Sequence, residues 1–483
     1  MIVVLVLLTC TGCGRFTGST EDRTTPSVRS EGVTATRAVV GPVGRPDSVV
    51  GHGSTVLVLA STTAVGSGDT LLRSADAGET WTTSVMPFPS PVGQPPTDSV
   101  ITSSDPRLMW AGGDVFVATR TSKGADDGLV QDVAVSTDAG AFWHIVSLEG
   151  PDGRRAVVND AVVHAGELVL VGASTTSPEG GGVSPGGLAD AAVWAGPVDA
   201  ASFLFVADPI GVDDGTQVLR DVAETAGGLV VIGGDSRRSA RGEQCCFTWT
   251  GPVSYGSVDA RSWSALSGLE DPNDVAFVPL QQDGDELALG LTLGRYVLQP
   301  GASAWTVQAV PGVADEFTRS DIGQGLWAPI DGADLVTTVM DSACDCSIAK
   351  AGRVDTTTGS LTDLGFDGCD DTSVRGETWI GAPHVIGRTG LADAACNDRG
   401  RNAGAVAVTT DGGRNWSSVR LDRIVPEGFD QFQVAPYADR SAVTDVSMVT
   451  VGNAWHRSAA QVHDGGSDPM PRGPIVVVRV TPS

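Results

Sequence analysis

Lysine is almost missing from this chain: only Lys123 and Lys350 occur among 483 residues. Lysine and arginine together number 31 against 58 aspartates and glutamates, a formal net charge of −27. A polyanion repels phosphate backbones and anionic headgroups, so nucleic acid is excluded as a partner. Tyrosine is scarce as well, present only as Tyr255, Tyr296 and Tyr437. The six histidines show no H-x-x-x-H spacing, and no H-E-x-x-H, G-x-S-x-G, P-loop, dinucleotide fingerprint or EF-hand pattern occurs. These absences leave the familiar zinc, serine-hydrolase and nucleotide chemistries without their residues. No apolar run approaches the roughly 18 residues of a membrane-spanning helix. No long stretch carries a helical apolar period, which argues against a helical architecture.

What is abundant is turn chemistry. Glycine numbers 62 and proline 27, spread along the chain, and 41% of residues are hydrophobic. Many short strands separated by turns follow, so the expected fold class is all-β. The skew toward Ala, Gly, Val, Asp and Arg over Lys is that of a GC-rich, actinobacterial-type genome.

The chain opens with the apolar run Ile2 to Leu8, then Cys10-Thr11-Gly12-Cys13 and a polar stretch. That run suits a signal peptide, not a span. Small residues before a cysteine resemble a bacterial lipobox, which makes Cys13 the acylated residue. Three segments are expected: a signal peptide at 1–13, a flexible tether at 14–31, and one folded domain at 32–483. The protein is then exported and held by its lipid at the outer face of the bacterial cytoplasmic membrane, with secretion as the alternative. Outside the cytoplasm, Cys245, Cys246, Cys344, Cys346, Cys369 and Cys396 read as disulfide candidates with fifteen pairings. Cys369 with Cys396 is the favoured pair. A soft-metal site on the Cys344–Cys346 thiolates is the alternative, although these cysteines show no C-x-x-C spacing, and no metal is assigned.

One turn recurs. SADAGETW runs from Ser74 to Trp81, STDAGAFW from Ser136 to Trp143, and TTDGGRNW from Thr409 to Trp416. Each places an aspartate two residues after a hydroxyl residue, a glycine four after it and a tryptophan seven after it. SVDARSW, Ser257 to Trp263, is a shortened echo, and PVDAASF, Pro197 to Phe203, a weaker one. The aspartate can close an Asx turn on nearby N–H groups. The glycine tolerates a left-handed backbone. The tryptophan begins the next strand and folds back over the corner.

On Ser74, Asp76, Gly78, Thr80 and Trp81 this stretch resembles the Asp-box, or BNR-repeat, family, whose pattern is S-x-D-x-G-x-T-W. The other full copies match at Ser136, Asp138, Gly140, Trp143 and at Thr409, Asp411, Gly413, Trp416. The resemblance implies a single β-propeller of four-stranded blades, with the box joining the third and fourth strands as a structural staple. Family members include sialidases, sortilin-type receptors, glycan-active enzymes and photosystem assembly factors.

Box-like turns near residues 76, 138, 199, 259, 302, 357 and 411 mark successive units, the last of them at 371–425. Residues 430–483 supply three further strands, and Val33 to Val43 resembles the missing fourth. Eight blades are expected, seven being the alternative, with the ring closed by N- and C-terminal strands in one blade. The implied enzyme is a sialidase, but its F/Y-R-I-P motif does not precede Ser74. Tyr437, with Arg440 nearby, is the weak candidate for a nucleophile and a carboxylate ligand. The expected function is therefore a non-catalytic cell-surface propeller lipoprotein that binds a protein or glycan. A secreted exo-glycosidase of sialidase type is the alternative. No cofactor is expected. The acidic turns Asp126-Asp127, Asp213-Asp214 and Asp370-Asp371 could hold calcium.

Overall fold

A computed structural model describes residues 27–30, 32–62, 69–88, 106–123, 129–150, 154–175, 189–209, 215–238, 247–269, 280–283, 286–291, 294–309, 325–330, 333–342, 346–355, 357–358, 360–364, 379–380, 383–397, 402–427, 429, 431–433, 441–455 and 474–483. The described chain is almost wholly β, arranged as a propeller-like ring of small sheets. Among the described residues no helix is long and apolar enough to cross a membrane.

Burial changes with each strand's place in its sheet. In one sheet the first strand, Arg155–His164, is mostly half-exposed, and the second, Glu167–Thr175, is buried along nearly its whole length. The third, Ala189–Pro197, is also buried almost throughout. The fourth strand of another sheet, Thr82–Val85, is exposed at every residue. Continuous apolar runs such as Leu168 to Val171 form strands because both of their faces are covered. The half-exposed first strand keeps polar residues, and the last strand faces solvent.

Neighbouring sheets share cores all the way round. Leu57 and Leu71 pack with Phe116 and Ala134. Val117 and Val135 pack with Leu168 and Trp194. Val169 and Val193 share a core with Leu219 and Val231, and Val230 and Ile232 with Leu287 and Leu289. The next seam carries a buried ion pair, Arg295 Nε to Asp334 Oδ2 at 2.7 Å. Leu335 then packs with Ala392 and Ala407, Leu391 with Met448 and Val478, and Val451 and Val477 with Val56 and Val58. The sequence of contacts thus returns to its start. Fully burying each such Leu or Val contributes about 1.5–3 kcal/mol.

Val33–His52 closes the ring. Its first half pairs antiparallel with Pro474–Pro482, from Val33 opposite Pro482 to Val43 opposite Pro474. Its second half, Gly44 to His52, pairs with Thr55–Thr62 and begins the next sheet. The described strands form a nine-stranded sheet across this joint, an eight-stranded, a five-stranded and three four-stranded sheets. The eight-stranded sheet has a feature that strand patterning does not anticipate. Ser202 to Leu204 runs parallel to Ser147 to Glu149 and stitches two antiparallel runs together.

Two expectations shift. Ser27–Ser30, inside the stretch expected to be a tether, is a strand pairing with Val33 to Thr36. In the terminal unit two described strands, Gln431–Gln433 and Ser441–Val443, both pair with Met448–Trp455.

Candidate functional site

The recurring turns are closed on themselves. Ser74 Oγ donates to Asp76 Oδ1 at 2.8 Å and accepts from the Gly78 N–H at 2.8 Å. Asp76 also accepts from the backbone N–H groups of Glu79 and Thr80, at 3.1 and 2.8 Å, and from Thr80 Oγ1. Ser136, Asp138 and Gly140 repeat the arrangement, with the Phe142 N–H 2.9 Å from Asp138 Oδ1. So do Thr409, Asp411 and Gly413, where Asn415 takes the place of Thr80 and donates from both N and Nδ2. The shortened copy behaves alike: Ser262 N donates to Asp259 Oδ1 at 2.7 Å.

These bonds set the electrostatics. Partial burial works against the Asp76 charge, but the donors on Thr80, Ser74 and Glu79 outweigh it and hold the carboxyl at about 2. At Asp138 burial again opposes, and the bonds from Phe142, Ser136 and Ala141 win, lowering it below the usual range. Asp411 follows with Asn415 and Thr409. A carboxylate so engaged is neither a base nor a nucleophile near neutral pH.

The backbone differs from what the glycine spacing alone implies. Two successive residues are left-handed: Ala77 at φ 55° and Gly78 at φ 87°, with Ala139 at 56° and Gly140 at 79°. The third copy uses Gly412 and Gly413 there. The first two turns dock on the hairpin between the first two strands of their own sheets, through Ala77 N to Ser54 O at 2.7 Å and Ala139 N to Asp114 O at 2.9 Å.

A second set of polar side chains lies on the first strands. Four of these strands carry a register shift, between Pro46 and Ser48, Trp110 and Gly112, Val158 and Asp160, and Leu219 and Asp221. At the first, third and fourth of them, the residue just after the shift reaches into the next sheet and accepts a backbone N–H. Ser48 Oγ takes Leu108 N at 3.0 Å, Asp160 Oδ2 takes Val222 N at 2.9 Å, and Asp221 Oδ2 takes Leu280 N at 2.6 Å. Burial, then the charge and hydrogen bond of Asp221, push the Asp160 carboxyl well above its ordinary value. Sequence reasoning missed this row of clasps.

His384, Ser441 and Asp393 also come together, with Ser441 Oγ donating to Asp393 Oδ1 at 2.9 Å and His384 Nε2 3.1 Å from Ser441 Oγ. These bonds link His384, Ser441 and Asp393 across three strands. The trio is a strut between strands.

Of the tyrosines, Tyr296 is buried and Tyr255 packs half-buried against the Val169–Val231 core. Tyr437 and Arg440 lie outside the described residues, as do Cys13, Cys245, Cys246, Cys344, Cys369 and the three acidic turns considered for calcium. Cys346 and Cys396 are placed as strand positions, opposite Ser342 and Ala403. Several arginines are occupied: Arg73 with the Ala139 carbonyl, Arg120 with Asp69 and Asp132, Arg295 with Glu286 and Asp334, Arg353 with the Gly412 carbonyl. Among the described residues no group of three His, Cys, Asp or Glu could hold a metal ion.

No protein-family model matches the chain, and no curated protein matches it. Solved structures similar to it include YCF48 bound to D1 peptide, at 12% identity and TM-score 0.40, covering 92% of this chain and 100% of that one. YCF48 from Cyanidioschyzon merolae is similar at 10% identity and TM-score 0.38, covering 92% and 98%. The polysaccharide lyase Uly1 is similar at 11% identity and TM-score 0.43, covering 91% and 90%.

Proposed function

We propose that this chain is an exported, lipid-anchored binding module of the Asp-box kind. Its ring has eight four-stranded blades and holds a protein or glycan partner without transforming it. The observation that carries this reading is the state of the recurring carboxylates. Asp76, Asp138, Asp259 and Asp411 are each engaged by their own turn. The most repeated polar motif therefore builds corners and leaves recognition to loops between strands. The blade count is supported by the strand pairings. The nine-stranded sheet contains two four-strand runs sharing Val33–His52, and the eight-stranded sheet two runs joined at Ser147 to Glu149. The lipid anchor rests on the residues before and at Cys13, and fatty-acid labelling lost in Cys13→Ala would support it.

The test is an assay of the chain against fluorogenic sialosides and aryl glycosides, alongside capture on an immobilised glycan panel and a pull-down. Saturable capture with rates at blank level supports the binding reading. Turnover that disappears in Tyr437→Phe overturns it and makes Tyr437 the nucleophile of a sialidase-type exo-glycosidase.

A further inference from the structure

One seam of the ring ends in an exposed aromatic stack. Trp110 lies on Arg107–Gly112, the first strand of its run, and His52 is the last residue of Val33–His52 in the preceding sheet. Their ring centroids are 3.7 Å apart and the planes only 12° from parallel. Both residues stay at the surface, Trp110 being 38% exposed. Among the described residues, the large apolar side chains left exposed include two aromatics, Trp110 and Phe142.

The surroundings hold the indole in place. The strand slips register between Trp110 and Gly112, and such a bulge re-aims the side chains beside it. Gly112 and Gly113 then turn at φ 127° and 54°, and the Gly113 carbonyl oxygen accepts the indole N–H at 3.0 Å. The recurring corners brace both hairpins: Ala77 N–H donates to the Ser54 carbonyl, and Ala139 N–H to that of Asp114. The backbone beside the rings is bare. A Cβ on Gly53 or on Gly113 would meet nothing within 4 Å, so a ligand can come close to both hairpins.

The polar groups next to the stack are unengaged. Asp114 follows Gly113, and Asp445 donates its N–H to the Gly53 carbonyl at 3.2 Å. Both are exposed, as is Ser54. Among the described residues the side chains of all three have no hydrogen-bond partner, and neither do the His52 ring nitrogens. A neutral imidazole offers one donor and one acceptor, a hydroxyl offers both, and a carboxylate only accepts. Sugar hydroxyls donate and accept, so they can use every one of these groups. A pyranose also presents a face of C–H bonds, which packs on the electron-rich face of an indole. A cation would leave the imidazole N–H unused, and an acidic sugar would be repelled by the two carboxylates.

We infer that the Trp110–His52 stack is a docking platform for a neutral pyranose. The inference rests on the binding reading above and names the glycan class it would take. It also gives the corners a second use. By fixing the two hairpins they order the platform before a ligand arrives, which lowers the entropy lost on binding.

The full chain is tested on immobilised neutral oligosaccharides of gluco, galacto and manno configuration, with sialylated ones and an arginine-rich peptide as further probes. Wild type is expected to bind a neutral oligosaccharide saturably. Trp110→Ala should bind it roughly tenfold or more weakly, and Trp110→Phe should recover part of that loss. Phe142→Ala, which removes the other exposed aromatic, should bind as wild type does. Equal affinity in Trp110→Ala overturns the platform and leaves the binding module standing. So does wild-type capture of the sialylated glycans alone or of the peptide alone. Capture of none of these also overturns the platform, and the pull-down then decides the binding reading by itself. If Trp110→Ala fails to fold, oxidation of wild-type indoles by N-bromosuccinimide decides. The bound oligosaccharide should shield Trp110 and leave Trp263 unchanged, and an unshielded Trp110 overturns the inference.

Discussion

The indole Nε1 of Trp81 donates to the carbonyl oxygen of Gly78 at 3.0 Å, so this corner is locked by its own tryptophan. Trp143 does the same to Gly140 at 3.1 Å, and Trp263 to Ala260 at 3.1 Å. Trp416 departs from the pattern. It is buried against Leu335, and among the described residues its Nε1 has no acceptor. Replacing Trp81 by Phe should forfeit a net bond of about 0.5–1.5 kcal/mol. Trp416→Phe should lose packing alone and relieve an unpaired donor. Urea midpoints of the two variants check this, with the hydrogen-bond loss expected only at Trp81.

The left-handed turn positions make a paired prediction. A Cβ on Gly140 would sit 2.7 Å from Leu57 Cδ2, at φ 79°. A Cβ on Gly53, at φ 55°, would meet nothing within 4 Å. Gly53→Ala should therefore cost only the backbone strain, about 1–2 kcal/mol, and Gly140→Ala clearly more. Ala77→Gly should run the other way, easing strain at the first left-handed position. Thermal unfolding of the three variants gives the order.

Acid should weaken the corners. The Asp76 carboxyl is held at about 2, so its contribution is complete above the ordinary carboxylate value and fades as pH falls toward 2. Asp138 and Asp411 are lowered as well and add in the same direction. Urea unfolding from pH 5 to pH 2 should show a steep loss, shallower in Asp76→Asn. Because Asp76 lies near the surface, water screens it, and Asp76→Ala should cost about 1 kcal/mol at pH 7.

Closure should be cooperative. Val478 is fully buried in the core shared with Leu391 and Met448. Val478→Asp would bury an unpaired charge and should cost more than about 3 kcal/mol. Deleting 474–483 should uncover the edges of Met448–Trp455 and Val33–His52 together. Size-exclusion chromatography is expected to show oligomers or aggregate in place of monomer.

The sequence was most informative where a short motif is self-contained. Asp76 and Trp81 act within a few residues of each other, so their spacing carries their geometry. The closing strand was legible too, because Val33 to Val43 reads as a strand and Pro474–Pro482 carries the buried apolar run Ile475 to Val478. The first-strand clasps were not. Ser48, Asp160 and Asp221 find partners about sixty residues away, and a polar residue in a strand reads locally as an outward-facing one. The positive φ of Ala77 was hidden for a related reason: alanine gives no warning of a left-handed backbone, and only the clasp of Ser74 and Asp76 around it imposes one.

The strand that serves two sheets also sets a timetable. Thr481 reaches back to Thr34 across 447 residues. A ribosome adds about 5–20 residues per second, so Val33 to Val43 waits roughly 20–90 seconds before its partner exists. Throughout that interval its apolar edge is unclaimed, and a chaperone or a translocation channel can occupy it. Pairing with 474–482 decides whether that edge is covered and the ring closed. Any truncated product should be recognised as foreign by the cell's proteases long before its missing tail would have mattered to a ligand.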